Sequence, residues 1–251
     1  WVRDPCGASA AYVLETPTLG ISEIVMRVAG VVGPIVYLAA AMAVAGVAQA
    51  SGSLDLRFDG DGVRIAALGG QFESFNDGLI DPQGRHVGAG YASTEVIANV
   101  GLVERLLPSG LRDPGFGESG VVTILPIDAP SLSLQAIERQ PDGKLVVAGN
   151  LFDSGTIAIQ VCRLHENGML DAGFADGGCR RVPLWFDSSN DRVHDLALQP
   201  DGRIVLVAET DFDHVGDYEE WAVARLDSNG EFDRCFGDPA CLLGGVLIQP
   251  E

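Results

Sequence analysis

The chain has 251 residues, 47% of them hydrophobic, and 32 glycines, enough for one sizeable domain or an array of small units. Its formal charge of −19 at pH 7 argues against a nucleic-acid partner, which needs a basic face, and against an anionic membrane surface. Solubility alone accounts for acidity of this kind.

Residues 1–25 open with Trp1 and carry no period, and they read as an upstream or non-native segment outside the fold. Met26 and Arg27 then precede a long apolar run that ends Ala48-Gln49-Ala50 ahead of Ser51. A basic start, an apolar stretch and an A-x-A ending make residues 26–50 a signal peptide. The run is a little long, so an uncleaved anchor is the rival, and through it alone would the chain touch a membrane. Pro34 and the small residues near the end favour cleavage. The expected location is secreted, periplasmic or at the cell surface. Residues 51–251 keep a net charge of −18, so the acidity belongs to the exported part.

The exported region begins with a calcium-like string, Asp59-Gly60-Asp61-Gly62. A full EF-hand loop needs a glutamate at its twelfth position, and the twelfth residue from Asp59 is Gly70. The string reads as a turn. No cofactor is expected, with calcium as the alternative.

From here the chain repeats itself. Phe58, Phe116, Phe174 and Phe236 are spaced by 58, 58 and 62 residues. Each has an aspartate three positions earlier: Asp55, Asp113, Asp171 and Asp233. The last three also have an arginine eleven positions earlier (Arg105, Arg163, Arg225) and a glycine six positions earlier (Gly110, Gly168, Gly230). Pro82, Pro141 and Pro200 are spaced by 59 and 59. The units are residues 51–110, 111–168 and 169–230, followed by the start of a fourth.

Each unit reads as short strands. Gln140-Pro141-Asp142-Gly143 and Gln199-Pro200-Asp201-Gly202 each join two apolar runs. Proline presets φ at the first turn position, aspartate suits the second, and glycine takes the left-handed one. A third run ends at "HENG" or "DSNG", and a fourth follows, clearest as "VVTIL". Four strands per period and no helical pattern make an all-β, propeller-like array of about three four-stranded blades. Three units are too few for a closed ring, and the last residues, "GGVLIQPE", stand where a fourth unit's strand would begin, so a partial propeller is expected. Charges locked to one phase read as structural Asp–Arg pairs tying an outer strand to the next turn. The phenylalanines read as blade-to-blade packing.

Four cysteines lie in the repeats: Cys162, Cys179, Cys235 and Cys241. An even number behind a signal peptide suggests disulfides. Cys235 and Cys241 are close enough for a small loop, which leaves Cys162 with Cys179, although four cysteines allow three pairings. Zinc lacks a C-x-x-C or a nearby His pair.

The strings "GMLDAGFADGG", "GLRDPGFGESGVV", "LQPDGRIVLVA" and "WAVARLDSNGEFDRCFG" resemble the delta-60 repeat of exported bacterial proteins. The resemblance covers residues 51–251 in three copies. The first is degenerate, with Gln83 in place of the turn aspartate, and the last has "CFGDPAC" where the family has "FGxxGxV". That family is defined by its repeat, so the resemblance implies a secreted, propeller-like protein and names no substrate.

Two loops depart from the repeat. The spacing from turn proline to anchor phenylalanine is 34, 33 and then 36, which places the extra residues of the third copy in Glu209–Trp221. This stretch, between second and third strands, holds Asp211, Asp213, His214, Asp217, Tyr218, Glu219 and Trp221. Such insertions map to loops, often on a binding face, and these groups suit a hard cation or a sugar against the aromatics. Trp185–Asp195 reads as the matching loop between first and second strands, with Trp185 and Asp187 as further candidates. The bland reading of both is a solvated acidic surface. There is no G-x-S-x-G, H-E-x-x-H or P-loop. The expected function is an exported binding or structural module for an unidentified extracellular ligand or protein. The alternatives are a propeller hydrolase or lyase acting on carbohydrate or lactone, and a calcium-stabilised adhesion repeat.

Overall fold

Runs such as "LVVAG" and "IAIQV" are β-branched, too short for a stable helix, and bounded by turns that stop them. They form strands. The structure, a computed structural model, describes residues 53–65, 72–93, 98–184, 189–211, 220–233 and 235–237, and the backbone of 246–248. The segments 1–25 and 26–50 lie outside the described residues. Among those described there is no helix long and apolar enough to cross a membrane.

Among the described residues twelve strands make three antiparallel sheets, each in simple up-and-down order. The first holds β1 (Glu73–Ile80), β2 (His86–Ala92), β3 (Val100–Leu106) and β4 (Val121–Ile124). The second holds β5 (Ser131–Arg139), β6 (Leu145–Asp153), β7 (Thr156–Leu164) and β8 (Cys179–Val182). The third holds β9 (Arg192–Leu198), β10 (Ile204–Thr210), β11 (Glu220–Leu226) and β12 (Val246–Ile248). The fold is all-β, a partial β-propeller of three blades. The sheets are offset from the sequence units: residues 110, 168 and 230 fall between the third and fourth strand of each blade.

The hydrophobic core lies between the sheets. Leu134, Leu145, Val147 and Leu164 of the second blade pack on Val87, Ala89 and Val103 of the first. Leu196, Ile204, Leu206 and Leu226 of the third pack on Val146, Ala148, Ile159 and Val161 of the second. Each fully buried aliphatic side chain contributes about 1.5–3 kcal/mol, so a blade gains its stability from its neighbour. The first strand of each blade packs deepest against the preceding blade: β5 meets β1, β2 and β3, and β9 meets β5, β6 and β7. These strands are the inner wall, and β4, β8 and β12 the rim.

The Gln-Pro-Asp-Gly hairpins close as their chemistry requires. Gly143 N donates to Gln140 O at 3.0 Å, Asp142 Oδ1 accepts from Lys144 N at 3.1 Å, and Gly143 has φ +93°. The Gln199–Arg203 turn repeats this. In the degenerate copy, Gln83 has no carboxylate and Asp81 supplies it instead. Its Oδ1 accepts from the Gln83 and Arg85 amides, both at 2.9 Å.

Every inner strand carries a β-bulge at one phase, at Asn76, Gln135 and His194. A bulge withdraws an amide from the ladder. The amides two residues on find carboxylates: Gly78 N and Leu196 N donate to the neighbouring Asp77 and Asp195, and Ile137 N reaches Asp77 Oδ2 in the preceding blade at 2.9 Å.

Two expectations need correction. Trp185–Asp195 is not a loop throughout, because Arg192–Asp195 already pairs as β9. Its described part, 189–191, is a crossing between the second and third blades. Asp55 and Phe58 do not share the pairing of their counterparts. Their phase puts the missing arginine at Val47, so the Asp55 carboxylate takes Arg57 within its own turn at 2.8 Å, and Phe58 lies edge-on to His86 at 4.9 Å.

Candidate functional site

At the hairpin end of the blades, charge recurs in a fixed arrangement. Arg105 Nε donates to Asp113 Oδ2 at 2.9 Å, Arg163 to Asp171 at 2.8 Å and Arg225 to Asp233 at 2.9 Å. Each guanidinium lies over the anchor ring, Phe116, Phe174 or Phe236, at 4.5, 4.7 and 4.4 Å, a cation–π contact. The other aspartate oxygen accepts from the amide two residues on, at Gly115, Gly173 and Cys235. The arginine also reaches forward: Nη1 of Arg105 donates to the Glu166 carbonyl, and that of Arg163 to the Ser228 carbonyl, both in the next blade. The backbone adds a second link, Gly117 N to Asn167 O and Ala175 N to Asn229 O, each at 2.8 Å. Gly168 sits in this corner at φ +87°, where a Cβ would lie 2.7 Å from Val122 and 2.9 Å from Gly117 N.

A further cation completes each arrangement. Arg85, Lys144 and Arg203 approach Asp113, Asp171 and Asp233 at 3.6, 3.3 and 3.1 Å. They follow the turn glycine at a spacing of 59 and 59. That periodicity was a usable signal, and reading the string only as a turn passed over it. Burial works to raise the Asp171 pKa, but the Gly173 amide and Arg163 outweigh it and hold the carboxyl below the usual range. Asp233 is lowered against burial in the same way by Arg225 and the Cys235 amide. These carboxylates are held ionised, as structural anions rather than acids or bases.

The opposite end differs from blade to blade. Asp211 Oδ1 accepts from the Ser189 and Asn190 amides at 3.0 and 3.1 Å, and its Oδ2 from Ser189 Oγ at 2.7 Å. It ties the end of β10 to the blade crossing. Beneath it, buried Asp191 accepts from Thr210 Oγ1 at 2.6 Å and from Leu184 N at 2.9 Å. Glu209 faces Arg192 Nη1 at 3.0 Å and His194 Nε2 at 3.2 Å. Trp221, at the start of β11, is 51% exposed. The structure therefore brings Asp211 to the crossing that precedes β9. Asp213, His214, Asp217, Tyr218, Glu219, Trp185 and Asp187 lie outside the described residues.

Cys162 and Cys179 are disulfide-bonded across β7 and β8. Cys235 is disulfide-bonded as well, and Cys241 lies outside the described residues. Asp59 accepts from Arg64 at 3.3 Å and Asp61 from Val63 N at 2.9 Å. Among the described residues no group of three His, Cys, Asp or Glu side chains is disposed to hold a metal. A cavity of about 640 Å³ opens on the outer face of the first blade, beside Phe58, Phe75, His86 and Glu104.

Residues 140–174 and 199–236 match the family model of a β-propeller domain of unknown function, DUF5122. Each matched stretch runs from the glutamine of a hairpin to the anchor phenylalanine, so it contains one whole Arg–Asp–cation–Phe arrangement. No curated protein matches the chain. A β-propeller domain of this kind fits a binding or structural module.

Proposed function

We propose that the chain is an exported, delta-60-type repeat module that binds or scaffolds an extracellular partner, its binding face being the blade end that carries Asp211, Trp221 and residues 212–219. The observation that carries this is the contrast between ends. At the hairpin end the repeated ionic groups hold one another and the next blade, whereas the crossing end changes chemistry with each blade. Active groups are seldom copied into every repeat, and variation among loops on a fixed scaffold is how repeat proteins make sites. Units 51–110, 111–168 and 169–230 with the start of a fourth are the repeats, and residues 26–50 the signal, with 1–25 upstream. Export is supported by the A-x-A ending before Ser51 and by the Cys162–Cys179 disulfide, which suits an oxidising compartment.

The test has two parts. N-terminal sequencing of the exported product should begin at Ser51, and a product retaining 26–50 would replace secretion with anchoring. A glycan array is then probed with the intact chain and with a variant whose residues 212–219 are replaced by a Gly-Ser loop. The expected result is retention lost in the variant at unchanged melting temperature. Release of new reducing ends from a retained glycan would sink the binding reading in favour of a hydrolase.

A further inference from the structure

Both blade junctions share the Arg–Asp–Phe clamp, and their rims are finished differently. In the second blade, Arg180 on β8 lies across the junction to the third. Its Nη1 donates to Gly230 O at 3.1 Å and its Nη2 to Glu231 Oε1 at 2.8 Å, and its side chain is 18% exposed. Strand register identifies its counterpart in the first blade. Arg180 stands opposite Val161 of β7, and Val122 opposite Val103 of β3. Gly230 and Glu231 answer to Gly168 and Met169, which stand six and five residues before their anchor phenylalanines in the same way.

At the first junction both members of that ion pair are therefore apolar. Val122 has no donor to offer Gly168 O, and Met169 is 64% exposed at the position from which Glu231 closes on Arg180. The junction keeps an open cleft of about 350 Å³ lined by Gly117, Glu118, Val121, Val122, Thr123 and Gly168. Glu118 is exposed, and among the described residues no cation pairs with it. The cleft thus offers a backbone carbonyl and a carboxylate, the two kinds of acceptor that Arg180 uses at the second junction. Val122, with Met169 next in sequence to Gly168, adds an apolar side.

We propose that this cleft takes an arginine side chain of a second, basic protein, seated as Arg180 is seated within its own chain. The guanidinium donates to Gly168 O and pairs with Glu118, and its aliphatic stem packs along Val122 and Met169. Arginine fits better than lysine, because a planar fork of donors serves a carbonyl and a carboxylate at once, whereas an ammonium is a compact point charge. The net charge of −18 on residues 51–251 steers a basic partner toward the chain and repels an acidic one. The rim of the first junction is a different surface from the crossing end, so this site stands or falls apart from residues 212–219.

The probe is a fluorescent peptide, acetyl-Ser-Val-Arg-Val-Ser-amide, followed by anisotropy against the intact chain beside two relatives with citrulline or lysine in place of arginine. Citrulline keeps the shape and loses the charge, and lysine keeps the charge and loses the fork. The arginine peptide should bind about tenfold more tightly than either. Val122→Arg combined with Met169→Glu gives the cleft an ion pair of its own, as at the second junction. It should abolish binding at a melting temperature no lower than that of the wild type. Glu118→Gln alters one exposed side chain and should weaken binding about fivefold with an unchanged melt. Absence of saturable binding to the wild-type chain overturns the proposal. So does equal binding of the lysine peptide, which would mean that net charge alone attracts it, and so does binding that survives the double change. If the double variant melts early, Glu118→Gln decides, and unchanged binding there overturns the proposal.

Discussion

The two ends of the blade stack are built from the same residue types and do different things with them. At the hairpin end, Asp171 is enclosed by Arg163, Lys144 and the Gly173 amide, and its counterparts repeat the arrangement. At the crossing end the capping group changes at one phase: Asp211 takes the Ser189 and Asn190 amides, Ser93 takes the Phe72 amide at 2.9 Å, and residue 152 is a phenylalanine. Repetition in phase marks what the scaffold needs at every junction. A change of side chain at a fixed phase marks where each junction can vary.

The sharpest way to break this contrast is to remove a clamp. Arg163→Met strips the buried Asp171 of its main partner and takes away the link to Ser228, and it should destabilise the chain by about 3–5 kcal/mol in urea titration. A loss under about 1 kcal/mol would mean that the clamp is ornament.

Two glycines sharpen it further. Gly168→Ala meets both a left-handed backbone and a filled corner, and should cost about 2–4 kcal/mol. Gly143→Ala, at φ +93° with its nearest neighbours 3.2 Å or farther, meets only the backbone penalty, about 1 kcal/mol. Equal losses at the two sites would refute the tight blade junction.

Acidity reads the same end. Asp171 and Asp233 have pKa values lowered by folding, so they bind protons more readily in the unfolded chain. Their contribution is complete above the ordinary carboxylate range and is lost as pH falls through the lower folded values. The urea midpoint should hold from pH 7 to about pH 5 and fall below about pH 4. Arg163→Met should flatten that fall.

The smallest effect is expected at the other end. Asp211→Ala removes a partly exposed cap and should cost about 1 kcal/mol in urea titration.

The fold was legible because the repeat writes the same residues in the same phase. Phe116, Phe174, Arg105 and Arg163 could be aligned before any strand was known. The bulge residues could not, although Asn76, Gln135 and His194 are equally regular in position. Their role is a backbone one, so three different side chains serve it, and a pattern of types misses them. Where a blade begins was hidden for another reason. A periodic sequence has no origin, and only pairing such as Cys162 with Cys179 places the fourth strand with the three before it. At the candidate site, Asp211 was legible as one of the carboxylates in Glu209–Trp221, one of the two stretches that depart from the repeat, but its partners at Ser189 and Asn190 come from the blade crossing, which no local spacing connects to it.

The covalent bond between Cys162 and Cys179 encloses a stretch of chain with a sequence separation of 17, and Arg163, Asp171 and Phe174 all lie inside it. Tension applied to the two ends of the polypeptide passes through the sulfur bridge and bypasses that loop. Under stretching, the second blade would keep its Arg163–Asp171 pair inside the bridged loop while the outer sheets peel away.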